Sequence, residues 1–171
     1  MNTRTKKIVV SAMLAALCCA ATMIIKLPSP LGGYINLGDS IVLLCAMLLP
    51  PVYGSLAAGI GSALADILSG YAVYAPATFI IKGAMVITAY FVIKLIKSKT
   101  EKHDLIAKTV GGIAAELVMI AGYYIFEGWL LYGFAASLVN ILPNAVQGVA
   151  GILCAVLLSQ LFKRFKLFGS Y

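Results

Sequence analysis

The sequence predicts an all-α integral membrane protein with six transmembrane helices, and three observations carry that prediction. Of 171 residues, 62% are hydrophobic and 11% charged, with a mean hydropathy of +1.01; soluble domains use roughly 45–50% apolar and 25% charged residues. Apolar runs recur along the whole chain, and a bilayer core about 30 Å thick needs about 20 residues per helical span. The chain therefore holds about six spans with short loops and no separate soluble domain, so residues 1–171 read as one domain. Finally, eleven of the thirteen Lys and Arg fall on one side of a six-span arrangement, and excess positive charge marks the cytoplasmic side. Both termini are then expected inside, and the net charge of +7 is a topology signal that calls for no nucleic acid.

The first span covers about Ile8 to Ile25. Lys6 and Lys7 before an apolar run also fit a signal peptide, but the spans that follow favour a first membrane helix. It ends at Lys26-Leu27-Pro28, because a proline disfavours helix in the residue before it. The stretch from Pro28 to Ser40 is polar and rich in Gly and Pro; it lies on the outer side and reads as a lid. Span two runs from about Ser40 to Leu49, with Asp39 or Ser40 as its N-cap, and Pro50-Pro51 turns the chain into span three, Val52 to Leu68. A loop from Ser69 to Pro76 precedes span four, Ala77 to Ile96. The charged run Lys97 to Asp104 includes His103, read as solvated, and leads into span five, Leu105 to Phe126. A loop holding Glu127, Trp129 and Tyr132 precedes span six, Ala135 to Phe162. Trp129 and Tyr132 fit the aromatic belt of a membrane interface.

Polar residues inside the spans concentrate in the outer half. They are Asp66, Lys82, Glu116, Tyr123, Tyr124 and the row Asn140, Asn144, Gln147, whose i, i+4, i+7 spacing places all three on one helical face. A charge within a span costs at least about 2.5–3.5 kcal/mol, so such groups face the bundle interior and find a partner or a watery cavity. Asp66 and Lys82, at similar depth on consecutive spans, form an ion pair or line a pocket. Glu116 is an interhelical hydrogen-bonding carboxyl or a ligand contact. With Tyr74 and Glu127 from the adjoining loops, and Asn36 and Asp39 as lid contacts or caps, these residues form the candidate pocket.

Ala12, Ala16 and Ala20 repeat every four residues on span one, and Gly54, Ala58 and Ser62 do so on span three. Small residues at this spacing let helices approach closely, within the bundle or against another chain. Cys18, Cys19, Cys45 and Cys154 lie in apolar runs and read as packing residues. The sequence contains no GxxxxGK[ST], HExxH or GxSxG pattern and no metal-spaced His/Cys cluster, so no catalytic centre, cofactor or metal is expected. Nor are inverted halves or broken helices evident, as a self-sufficient carrier would show. A small membrane enzyme lacks a reactive constellation here. A homo-oligomeric channel would need polarity through the full depth.

Four marks together carry a resemblance: Gly33-Tyr34-Ile35-Asn36-Leu37-Gly38-Asp39, Gly59 to Asp66, Ile81-Lys82-Gly83, and Pro143-Asn144-Ala145-Val146-Gln147. In this order the chain resembles a substrate-binding S component of the energy-coupling factor (ECF) vitamin transporters, in the group related to riboflavin, hydroxymethylpyrimidine and vitamin B6. The resemblance implies six helices and a site in the outer half, beneath the loop joining helices one and two. It also implies that Ala12, Ala16 and Ala20 dock on a transmembrane coupling subunit, with two ABC-type ATPases supplying the motor, in the plasma membrane of a prokaryote. The metal-binding branch begins with a histidine that Met1-Asn2-Thr3 lacks, so nickel or cobalt is not expected. Hydroxymethylpyrimidine or a B6 vitamer is expected first and riboflavin second, with Asn144 and Gln147 meeting ring nitrogens, tyrosines stacking on the ring, Asp66, Glu116 or Glu127 pairing with an amino or pyridinium group, and Lys82 meeting a hydroxyl or phosphate-like oxygen.

Overall fold

The structure, a computed structural model, describes residues 3–97 and 104–164. In chain order it comprises α1 (Thr3–Ile24), β1 (Lys26–Pro28), β2 (Tyr34–Asn36), α2 (Gly38–Leu48), α3 (Pro51–Leu68), α4 (Ala75–Lys97), α5 (Asp104–Leu130), α6 (Phe134–Ser137), a 3₁₀ turn Leu138–Asn140, and α7 (Ile141–Arg164). His103 and the expectation that it is solvated lie outside the described residues, as do Lys99, Lys102 and Lys166.

Among the described residues, five helices are long and apolar enough to cross a membrane: α1, α3, α4, α5, and α6 to α7 taken together. The sixth expected span, α2, is an apolar helix of 11 residues, about 16 Å at roughly 1.5 Å per residue, too short to cross alone. Yet it is the most enclosed element, with Ile41 to Ala46 all buried. Its first turn lies beside Thr22 near the end of α1, and its last residues approach Lys94 and Lys97 at the end of α4. Residues 26–36 fold into an antiparallel hairpin pairing Lys26 with Asn36, Leu27 with Ile35 and Pro28 with Tyr34, a small sheet absent from the all-α expectation. Strands of three residues carry no readable period. The tight loop between them needs Gly32 (φ +122°) and Gly33 (φ +73°) in backbone conformations that L side chains avoid.

Three helix ends differ from expectation. Neither Asp39 nor Ser40 caps α2: the Asn36 side-chain oxygen accepts from Gly38 N–H at 2.8 Å, and Ser40 Oγ donates back to the Leu37 carbonyl. The helix α5 continues four residues past Phe126, so Glu127 and Trp129 are helical rather than in a loop. The expected last span is broken at Leu138–Asn140, where the chain tightens to 3₁₀ geometry before α7.

Close packing holds the bundle together, because lipid supplies no hydrophobic drive between helices. The small face of α3 is spent inside: Gly54 meets the Cys45 carbonyl of α2, Gly61 meets the Ala15 carbonyl of α1, and Ser62 Oγ lies 3.2 Å from Cys18 Sγ. On α1 the buried face is Val10, Leu14, Cys18 and Thr22. Ala12, Ala16 and Ala20 lie on the other face, exposed, in a groove of about 710 Å³ shared with Leu56, Ile60 and Leu64 of α3. All four cysteines are free thiols.

Candidate functional site

The hairpin end of the bundle gathers most of the polar residues singled out in the sequence. Between the hairpin and the helices lies a small cavity lined by Tyr34 and Asn36 of β2, Asp66 of α3, Thr78 of α4, Tyr123 and Glu127 of α5, and Asn144 and Gln147 of α7. Ser29, Gly32 and Gly33 of the hairpin loop, with Tyr71 and Tyr74 from the α3–α4 connection, complete the wall. Seven of the eleven residues anticipated from the sequence therefore line one cavity: Asn36, Asp66, Tyr74, Tyr123, Glu127, Asn144 and Gln147.

The other four lie behind or below it. Lys82 is buried and pairs with Asp39, not with Asp66 as its position on the next span had suggested. Asp39 is fully buried and also accepts from Gln147 Nε2 at 2.5 Å. The Lys82 ammonium sits 5.4 Å from the Tyr123 ring centroid, a cation–π distance, so the pair supports a cavity wall from behind. Asn140 bridges two elements, accepting from Ser29 Oγ at 2.6 Å and donating to Glu127 Oε2 at 3.0 Å. Glu116 is buried at mid-helix in a gap left by Gly148 and Gly151 of α7, and neither carboxyl oxygen has a hydrogen-bond partner. It is neither an interhelical hydrogen bond nor part of the cavity wall.

The hairpin is tied down at four points, one of them Lys26 Nζ donating to Ser69 Oγ at 2.5 Å. Gln147 Oε1 accepts from the Asn36 backbone N–H at 2.8 Å while its amide nitrogen holds Asp39, so one side chain links the hairpin to the buried ion pair. Ser29 reaches Asn140, and the Tyr34 hydroxyl donates to Asp66 Oδ1 at 2.7 Å. With these ties made, the cavity encloses about 40 Å³, room for about two or three waters and far below the roughly 300 Å³ of ordinary ligand pockets. The hairpin forms one wall of this cavity.

The wall has a definite electrostatic character. Asp66 and Glu127 both face the cavity, whereas none of its lining residues is cationic. Lys82 is committed to Asp39, and Lys26 is turned to Ser69 Oγ at 2.5 Å and the face of Tyr34. Tyr74 donates to Glu127 Oε1 at 3.3 Å and meets the Tyr132 hydroxyl at the same distance. Tyr132 is therefore engaged at the site; Trp129 is 80% exposed, as a membrane-interface residue would be. Sequence reasoning did not single out Ser29 and Tyr34 within the lid stretch, and it missed Tyr71 and Thr78. Tyr71 packs its ring 4.9 Å from Tyr34, and Thr78 Oγ1 lies 3.0 Å from the Tyr123 hydroxyl; Tyr71-Ala72-Val73-Tyr74 between two spans was the available signal. No group of three or more metal-ligating side chains occurs among the described residues.

A bundle of apolar helices with a polar cavity under a hairpin at one end is the architecture of a membrane substrate-binding protein. The sequence model described as "ECF-type riboflavin transporter, S component" matches residues 2–164, and the chain belongs to that family. A Pyrococcus woesei protein described only as an uncharacterized protein in a gap 3' region is 36% identical over 146 residues, covering 84% of this chain and 92% of that protein. The solved structure of the S component of a bacterial ECF transporter superposes with a TM-score of 0.76 at 24% identity, covering 95% of this chain and 98% of that one. The fold is thus shared along nearly the whole length. The chain is a membrane-embedded transporter subunit of a non-enzymatic family.

Proposed function

We propose that this chain captures a small nitrogen-heterocyclic B vitamin or vitamin precursor in the cavity under the hairpin, as the substrate-binding subunit of an ECF-type importer. The observation that carries the reading is the pairing of two cavity-facing carboxyls, Asp66 and Glu127, with four tyrosines and the amides of Asn144 and Gln147, and with no cation in the lining. Such a wall suits a ring that offers an amino or protonated nitrogen to the acids and flat faces to the tyrosines. Hydroxymethylpyrimidine and the B6 vitamers have that chemistry at single-ring size. Riboflavin is the second reading, supported by the description of the matching family; its three-ring system would need the larger displacement of the hairpin.

In this reading the chain crosses the plasma membrane of a prokaryote six times with both termini inside, α2 and the hairpin together filling one crossing, and the hairpin end facing out. Ala12, Ala16 and Ala20 form the docking face for a transmembrane coupling subunit, which carries two ABC-type ATPases. What supports this is the division of small residues: those of α3 are consumed in the bundle, while those of α1 line an open groove. Titration of the purified protein with a vitamin panel tests the ligand. Hydroxymethylpyrimidine or a B6 vitamer should bind with Kd below about 1 μM, a binding free energy near −8 kcal/mol; no B-vitamin precursor binding that tightly would overturn the reading. Recovery of two ATPases and a large membrane protein with the tagged chain tests the role.

A further inference from the structure

A second cavity, of about 410 Å³, opens at the other end of the bundle, between α2, α4 and α5. Its wall is apolar where Met47 and Ile93 face it, and three lysines stand around it: Lys94, Lys97 and Lys108. Lys108 has a side chain only 10% exposed, fixed 2.8 Å from Asp104 Oδ2, and Lys97 pairs with the same carboxylate. Lys97 and Lys108 share the Asp104 carboxylate and Lys94 adds a third ammonium group, so these four described side chains carry a net charge of +2. The helix α4 has 23 residues, about 34 Å, so Lys94 and Lys97 in its last turn lie where the hydrocarbon gives way to head groups. Phe91 and Leu95 of the same stretch are exposed.

From this arrangement we propose that the cavity is a binding site for one anionic phospholipid, its phosphate held by Lys94 and Lys97 with Lys108 beneath, and an acyl chain lying against Met47 and Ile93. The two requirements are met side by side: fixed cations at interface depth and an apolar recess reachable from the bilayer. A soluble phosphate would use only the lysines and leave the apolar recess unfilled. This proposal rests on the membrane placement of the chain and is independent of the vitamin and of the coupling partner.

Native mass spectrometry of the detergent-purified protein tests it, with phosphatidylglycerol, phosphatidylcholine or inorganic phosphate added. One phosphatidylglycerol should be retained per chain, and phosphatidylcholine should not be. The double variant K94Q/K97Q, at exposed positions, should weaken retention about tenfold or more, and K94R/K97R should restore it. K6Q/K7Q, on α1 at the same end of the bundle, should leave it unchanged. Equal retention of phosphatidylcholine, an equal loss in K6Q/K7Q, no loss in K94Q/K97Q, or displacement of the lipid by equimolar inorganic phosphate would each overturn the proposal.

Discussion

Gln147 makes the connection on which the candidate site turns, accepting from the hairpin backbone and donating to the buried Asp39. Replacing it with leucine removes both bonds and leaves a buried carboxylate one donor short. Hydrogen bonds to charged groups contribute about 1.5–3 kcal/mol, so Gln147→Leu should hasten ligand release by roughly tenfold or more, read in a stopped-flow chase; an unchanged rate would remove Gln147 from hairpin closure. The ion pair behind it is a matter of stability. Lys82→Met should cost about 3–5 kcal/mol, because it strands Asp39 in a dry interior, and the double variant D39N/K82M should recover much of that loss. Chemical unfolding in detergent measures both. At Tyr34 the hydroxyl ties the hairpin to Asp66, so Tyr34→Phe should weaken hairpin closure and hasten ligand release in the same stopped-flow chase. The sequence shows most of these residues but misassigns one bond. Lys82 and Asp66 are matched in depth on neighbouring spans, and depth alone cannot reveal that Asp39, at the start of the short α2, is nearer.

At the scale of elements, the hairpin and α2 work as one unit. The hairpin leads directly into α2 and is held by Gln147 and Asn140, so the polar stretch noted in the sequence is a folded piece of the bundle. That Pro28 to Ser40 lies over the polar end was legible from composition; its strands were not, because three-residue strands pair through tertiary contacts rather than periodicity. The same limit applies to α5, which runs on to Leu130 because Glu127 finds Tyr74 and Asn140 as partners. At Gly32 the backbone is at φ +122° and a Cβ would meet the Tyr132 hydroxyl. Gly32→Val should therefore disorder the hairpin loop at a cost of about 1–3 kcal/mol. Amide hydrogen exchange should show faster exchange in residues 26–36 while the helices keep their protection. Uniform protection would mean that the loop tolerates the strain.

For the whole molecule, polarity is divided between two ends, with the carboxyl-lined cavity at one and Lys94, Lys97 and Lys108 at the other, and an apolar groove runs along α1 between them. In the proposed role of a capture subunit without its own motor, ligand and partner would meet different surfaces. Ala16→Trp should fill the α1–α3 groove and abolish co-purification of the coupling subunit while leaving ligand affinity within about twofold, because the groove and the cavity share no lining residue. Loss of both functions together would mean that the groove is part of the folding core. The spans and the small-residue faces were readable from hydropathy and spacing; which small face stays open was not, because that depends on how α1 and α3 turn against each other.

The central claim is that Asp66 and Glu127 give the cavity its ligand preference, and calorimetric titration of the wild-type protein and D66N/E127Q with hydroxymethylpyrimidine and pyridoxamine tests it most directly. The wild type should bind one of them with submicromolar Kd, and the double variant should lose about 100-fold or more, as expected when two charge-assisted contacts are removed. Equal affinity in the two proteins, or wild-type affinity for riboflavin alone, would contradict the account.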